Sequence, residues 1–165
     1  MIVMDKQKRR NKKGVDRKKI YFFTLCTDKR APLFGTVIQG KNRITLSPSP
    51  LGIKAASLLK RISTNRRDIT LTDYRIMPNH IHFLVSLHSD DNRRIDWFVT
   101  YCRQLLERQA HIEPVISTTD SLVQEIPSEQ AYRTACHCLE SQYDHWHYDR
   151  LYVSEENMPY GASIT

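Results

Sequence analysis

The chain has 165 residues, 40% of them apolar and 26% charged, with a formal net charge of +7. That is the length of one ordinary domain with enough apolar content to bury a core. No apolar run approaches the roughly 20 residues of a membrane span, and no leader-like apolar segment opens the sequence. Membrane, collagen, coiled-coil and secreted disulfide classes are therefore excluded, and a cytoplasmic location is expected.

The charge is unevenly placed. Nine of the 25 Lys/Arg but only two of the 18 Asp/Glu fall in residues 1–19, which carry the whole surplus, while the remaining 16 bases and 16 acids cancel. The pattern predicts a basic flexible arm at 1–19, one domain at 20–154 and a loose tail at 155–165. A basic arm on a neutral body fits a polyanion partner, and equally a solvated tail. The four cysteines are Cys26, Cys102, Cys136 and Cys138. Cys136 and Cys138 are too close together for an ordinary disulfide framework, so free thiols are expected.

Ile20 to Thr27 is β-branched and aromatic and reads as a strand. Thr36 to Leu46 reads as a hairpin with Gly40 near its tip. Ser49-Pro50 has the form of an N-cap followed by a first-turn proline, and Leu51, Ala55, Leu58 and Ile62 continue at helical spacing to about residue 63. Ile69 to Ile76 and Ile81 to Leu87 are strands joined by a turn at Pro78-Asn79. Asp90 and Asp91 open a helix whose apolar stripe is Ile95, Phe98, Cys102, Leu105 and Leu106. Residues 112–127 read as a loop. Ser128-Glu129 starts a last helix with Tyr132, Ala135, Cys136, Leu139 and Tyr143 on one face. This order predicts an α+β domain: a central antiparallel sheet with helices mainly on one face.

The most informative segment is Met77-Pro78-Asn79-His80-Ile81-His82 and the apolar run that follows. Alternate residues of a strand share a face. His80 and His82 therefore point one way, and Ile81, Phe83 and Val85 the other, into the core. Two adjacent imidazoles can hold one divalent metal with positions left open. On spacing alone, two polar residues on a wet sheet face are the better reading.

Met-Pro-Asn-His-x-His ahead of an apolar strand closely resembles the signature of the single-tyrosine HUH transposases, in particular the REP-associated tyrosine transposases. Tyr21 to Thr27, Phe34-Gly35 through Ser47, and Leu51-Gly52 with the helix behind it resemble further segments of that family in order. The segment Cys138 to Asp149 resembles its C-terminal helix, with Leu139, Trp146 and Asp149 in place. The resemblance implies a ferredoxin-like fold and a metal site for Mg²⁺ or Mn²⁺ made by His80, His82 and Gln142. It implies DNA as partner, single-stranded or with hairpins, handled by a monomer or homodimer. The family's nucleophilic tyrosine falls on Cys138, and a shifted register would offer Tyr143 instead. Lys12, Lys13, Arg66, Arg67, Arg93 and Arg94 are the expected nucleic-acid contacts. Two functions follow as expectations: a DNA strand-transfer protein, catalytically intact or degenerate, or a non-catalytic nucleic-acid-binding module on the same fold.

Overall fold

A computed structural model describes residues 18–65, 68–88, 93–111 and 115–154, with side chains for all of these except 63–65 and 93–94. The elements are β1 (Lys19–Cys26), β2 (Gly35–Gln39), β3 (Ile44–Pro48), α1 (Pro50–Asn65), β4 (Ile69–Met77), β5 (His80–Leu87), α2 (Arg93–Ala110), β6 (Leu122–Ile126) and α3 (Glu129–Ser141), with single 3-10 turns at Asp28–Arg30 and Trp146–Tyr148. Four strands form one sheet in the order β4-β5-β1-β6, every neighbour antiparallel. β2 and β3 pair separately as a hairpin. With that hairpin and the C-terminal α3 set aside the chain runs β-α-β-β-α-β, and the strand order is that of a ferredoxin-like α+β fold.

Residues opposite each other on paired strands share a sheet face. Phe23 on β1 lies opposite Phe83 on β5, and both are fully buried. Phe98 of α2 closes on them, its ring 5.5 Å from Phe23 and 5.7 Å from Phe83. α1 adds Ala55, Leu58, Leu59 and Ile62 to this core. Its start is capped by Ser49, whose hydroxyl accepts from the Gly52 N–H at 3.0 Å. A Cβ at Gly52 would stand 2.1 Å from the Phe34 carbonyl, so only glycine lets the helix approach this closely. Strand alternation and helical stripes thus build one apolar layer between the sheet and two helices.

The other face of the sheet carries the unusual residues. His82 lies opposite Thr24 on one side and Arg75 on the other, and His80 lies opposite Cys26. α3 lies on this second face, where the Arg75 Nε donates to the Leu139 carbonyl at 2.8 Å. The helices therefore divide two to one across the sheet. Two expectations need correction. Residues 122–126, expected as loop, form edge strand β6; four of its five residues are exposed, so burial imposes no apolar alternation on them. The last helix ends at Ser141 instead of running through Tyr143. Beyond it come Tyr143, Asp144, His145, Trp146 and His147, all weak helix formers.

Candidate metal centre

The tight turn Pro78-Asn79 starts β5 with its histidines already aimed at the second face. The turn is anchored from two sides. The Thr27 N–H and hydroxyl both donate to the Asn79 carbonyl at 2.9 Å, and the Phe34 N–H donates to the Pro78 carbonyl at 2.9 Å. After α3 the chain returns across the same face through Trp146 to Leu151, bringing Asp149 to the histidines. His80 Nε2, His82 Nε2 and a carboxylate oxygen of Asp149 all lie within 4.8 Å of one another.

Hydrogen bonds fix how each ring presents itself. Asn79 Nδ2 donates to the Leu151 carbonyl at 2.7 Å and the Arg30 carbonyl at 3.3 Å. Its Oδ1 must therefore be the atom 2.8 Å from His80 Nδ1, so that nitrogen carries the proton. The Nε2 of His80 is left with a bare lone pair. It faces the Nε2 of His82 at 2.9 Å. The Nδ1 of His82 is 2.8 Å from the Thr24 hydroxyl, which can donate or accept. One arrangement runs Thr24 to His82 to His80 to Asn79 as a chain of donors. In the other, Thr24 accepts from His82 Nδ1, and both Nε2 lone pairs converge on a shared point. Switching between them moves a proton across one ring and releases none.

Burial reinforces the neutral state. His80 is fully buried and His82 is 9% exposed. Desolvation, then the charges of His82 and Arg150, push the His80 imidazole down to about 2. Desolvation pushes His82 down to about 4, with Asp149 opposing and Arg150 assisting. Neutral imidazole is the form that binds metals. Asp149 is held by two bonds: Gln142 Nε2 donates to Oδ2 at 2.6 Å and the Leu151 N–H donates to Oδ1 at 2.8 Å. Its Oδ2 stands 3.6 Å from His80 Nε2, a proximity and no ion pair, since the ring is neutral.

The donor set fits a divalent cation. Two ligands at ~2.1 Å on adjacent corners of an octahedron stand about 3 Å apart, and the two Nε2 atoms are 2.9 Å apart. Both rings are oriented through their remote nitrogens, and the carboxylate through Gln142, as second-layer bonds do in metal sites.

Sequence reasoning placed His80 and His82 side by side, and the structure does the same, though buried rather than wet. Phe22 lies 5.2 Å and Trp146 5.9 Å from these rings, centroid to centroid, and they wall the pair. Gln142 reaches the cluster through its bond to Asp149. Asp149 itself, Thr24 and Asn79 were not nominated as site residues, although Asp149 ends the segment on which the family resemblance rests. Cys138 is exposed on α3. Tyr143 lies over the opposite edge, its hydroxyl donating to the Ile76 carbonyl at 3.0 Å and its ring 5.0 Å from the Arg75 guanidinium. Burial also raises the Tyr143 phenol above its ordinary range. Lys12, Lys13, Arg66 and Arg67, and the side chains of Arg93 and Arg94, lie outside the described residues.

No protein-family model and no curated protein matches the chain. Solved structures match its fold, among them the following two. One is a protein from Deinococcus radiodurans R1 assigned as a transposase, at 16% identity and a TM-score of 0.50, over 85% of this chain and 98% of that one. The other is a REP-associated tyrosine transposase bound to a REP hairpin, at 12% identity and a TM-score of 0.50, over 98% of this chain and 95% of that one. The chain thus has a transposase-like fold. Among its described residues, no helix is long and apolar enough to cross a membrane.

Proposed function

We propose that the chain is a DNA-binding protein of the HUH single-strand nuclease and strand-transferase type. In this reading Mg²⁺ or Mn²⁺ sits on His80, His82 and Asp149, with Gln142 steering the carboxylate. The observation that carries it is the convergence of two neutral imidazole nitrogens and one carboxylate oxygen on the sheet face opposite the core. A divalent cation there would polarise a phosphodiester oxygen. The chain's own residues do the positioning. Asn79 and Thr24 hold the rings, Gln142 and the Leu151 N–H hold Asp149, and Trp146 keeps water from His80. The partner is DNA, single-stranded or folded into a hairpin, handled by a monomer or homodimer. Lys12, Lys13 and the arginine pairs at 66–67 and 93–94 supply phosphate contacts.

The residue at the nucleophile position is Cys138, with Tyr143 as the alternative. A thiol is shorter than a phenol by a ring and favours softer metals. The Tyr143 hydroxyl is occupied by the Ile76 carbonyl. These features, with the burial of both histidines, favour a second reading in which the fold binds nucleic acid without cutting it. Incubation with hairpin-bearing single-stranded DNA and Mn²⁺, followed by a denaturing gel, separates the two. A covalent protein–DNA adduct lost in His80→Ala supports the strand-transferase, and binding without an adduct supports the non-cutting module. No binding in either metal state refutes both.

A further inference from the structure

A cleft of about 450 Å³ opens on the sheet face that carries the histidines, lined in part by Thr24, Arg30, Thr119, Asp120, Ser121 and Arg150. It adjoins the metal centre through two of its lining residues. Thr24, on its floor, is the residue bonded to His82 Nδ1. Arg150, on its wall, follows Asp149 directly in the chain. Two guanidiniums against one carboxylate leave this wall with a net positive charge. Arg30 and Arg150 are both exposed, and among the described residues neither guanidinium has a hydrogen-bond or ion-pair partner. Leu122 adds an apolar strip, 42% exposed.

The backbone presents Arg30 on a left-handed turn. Lys29 and Arg30 sit at φ of 51° and 55°, left-handed values that non-glycine residues rarely adopt. The turn is held by the Arg30 N–H donating to the Thr27 carbonyl at 3.1 Å and the Ala31 N–H donating to the Asp28 carbonyl at 3.1 Å. The Asn79 amide nitrogen donates to the Arg30 carbonyl and to the carbonyl of Leu151, the neighbour of Arg150. Its oxygen fixes His80. One buried side chain therefore ties both arginine-bearing segments to a metal ligand.

We propose that this cleft is a nucleotide subsite, in which Arg30 and Arg150 clamp a phosphodiester of the bound strand beside the metal centre and Leu122 packs against the attached base. The site deepens the proposed function, and rests on it. Guanidinium is suited to the task, since its fork of donors matches two phosphate oxygens. Neither guanidinium is paired among the described residues, which leaves those donors ready for the ligand.

The test is fluorescence anisotropy of the full chain with a labelled hairpin oligonucleotide bearing a single-stranded flank, over a range of salt. Arg30→Gln and Arg150→Gln are each expected to weaken binding roughly tenfold. Each should lower the slope of log K against log salt by about 0.7. Mn²⁺ affinity should not fall below the wild-type value, since removing a neighbouring positive charge does not weaken a cation site, and this shows that the fold and metal centre persist. A double variant that binds with wild-type affinity and slope overturns the subsite, and so does millimolar inorganic phosphate displacing the strand, which marks a small-anion site. Loss of affinity in the variants with no covalent adduct from the wild type keeps the subsite and removes cleavage. A wild type that does not bind the strand at all removes both.

Discussion

Replacing Asn79 by alanine deletes three hydrogen bonds at once. The His80 Nδ1–H and the Leu151 carbonyl lose partners at 2.8 and 2.7 Å, and the Arg30 carbonyl loses one at 3.3 Å. The first two belong to buried residues, so water cannot replace the lost partner cheaply. Each orphaned buried group costs ~1–3 kcal/mol, and the Arg30 carbonyl, on an exposed residue, costs less. The sum is about 2–6 kcal/mol out of a typical stability of ~5–15 kcal/mol. At ~2–4 °C per kcal/mol for a chain of this length, Tm should fall by roughly 10 °C. The His80 ring also loses the bond that fixes its tautomer, so Mn²⁺ affinity should drop ~10–100-fold. Thr24→Val, close in shape, should weaken Mn²⁺ binding with a smaller loss of stability. Thermal melts and metal titrations on both variants read the two effects separately. An Asn79→Ala protein that melts and binds Mn²⁺ like the wild type would refute the reasoning.

In the metal-free protein, acid should act through the buried pair. The folded-state values of about 4 for His82 and about 2 for His80 lie below the ordinary 6.5, so the unfolded chain takes up protons that the folded one refuses. Stability is complete above about pH 6.5 and is lost as pH falls from there toward 4, by up to ~1.4 kcal/mol per pH unit for each histidine. Urea titrations at pH 7, 6 and 5 check this, and a flat profile would contradict it. Thiol labelling should find Cys138 at once and Cys102 only on unfolding, because Cys102 is 1% exposed and burial pushes its thiol up to about 12; rapid labelling of Cys102 in the native protein would count against the core packing. Tyr143→Phe should cost about 1 kcal/mol by removing the donor to the Ile76 carbonyl, and should leave Mn²⁺ binding unchanged; lost metal binding would place the phenol in the metal centre.

Much of the fold was readable because its elements bury one face each. Phe23, Phe83 and Phe98 sit at strand and helix positions whose periodicity announces a core, and the turn at Pro78-Asn79 separates two clear strands. β6 was invisible for the opposite reason: Leu122 to Glu125 are all exposed, and an edge strand is held by its backbone bonds to β1 more than by buried side chains. The histidine pair was legible from the period of two. The residues that make it a metal centre were less so, since their roles depend on pairing across the sheet. Thr24 meets His82 only because β1 pairs with β5 in one register. Asp149 arrives only because the chain leaves α3 after Ser141 and folds back. Asn79 looks like a turn residue, and nothing in the sequence shows that its amide bonds Leu151, 72 positions away.

The account stands on a cation held by His80, His82 and Asp149. Isothermal titration of the purified chain with Mn²⁺ at pH 7.5 tests that directly, repeated with His80→Ala and Asp149→Asn. One Mn²⁺ per chain in the wild type, with Mg²⁺ bound more weakly because two of the three donors are nitrogen, and loss of that binding in both variants, is the predicted result. A wild type that takes up no divalent ion, or variants that bind it unchanged, would contradict the account.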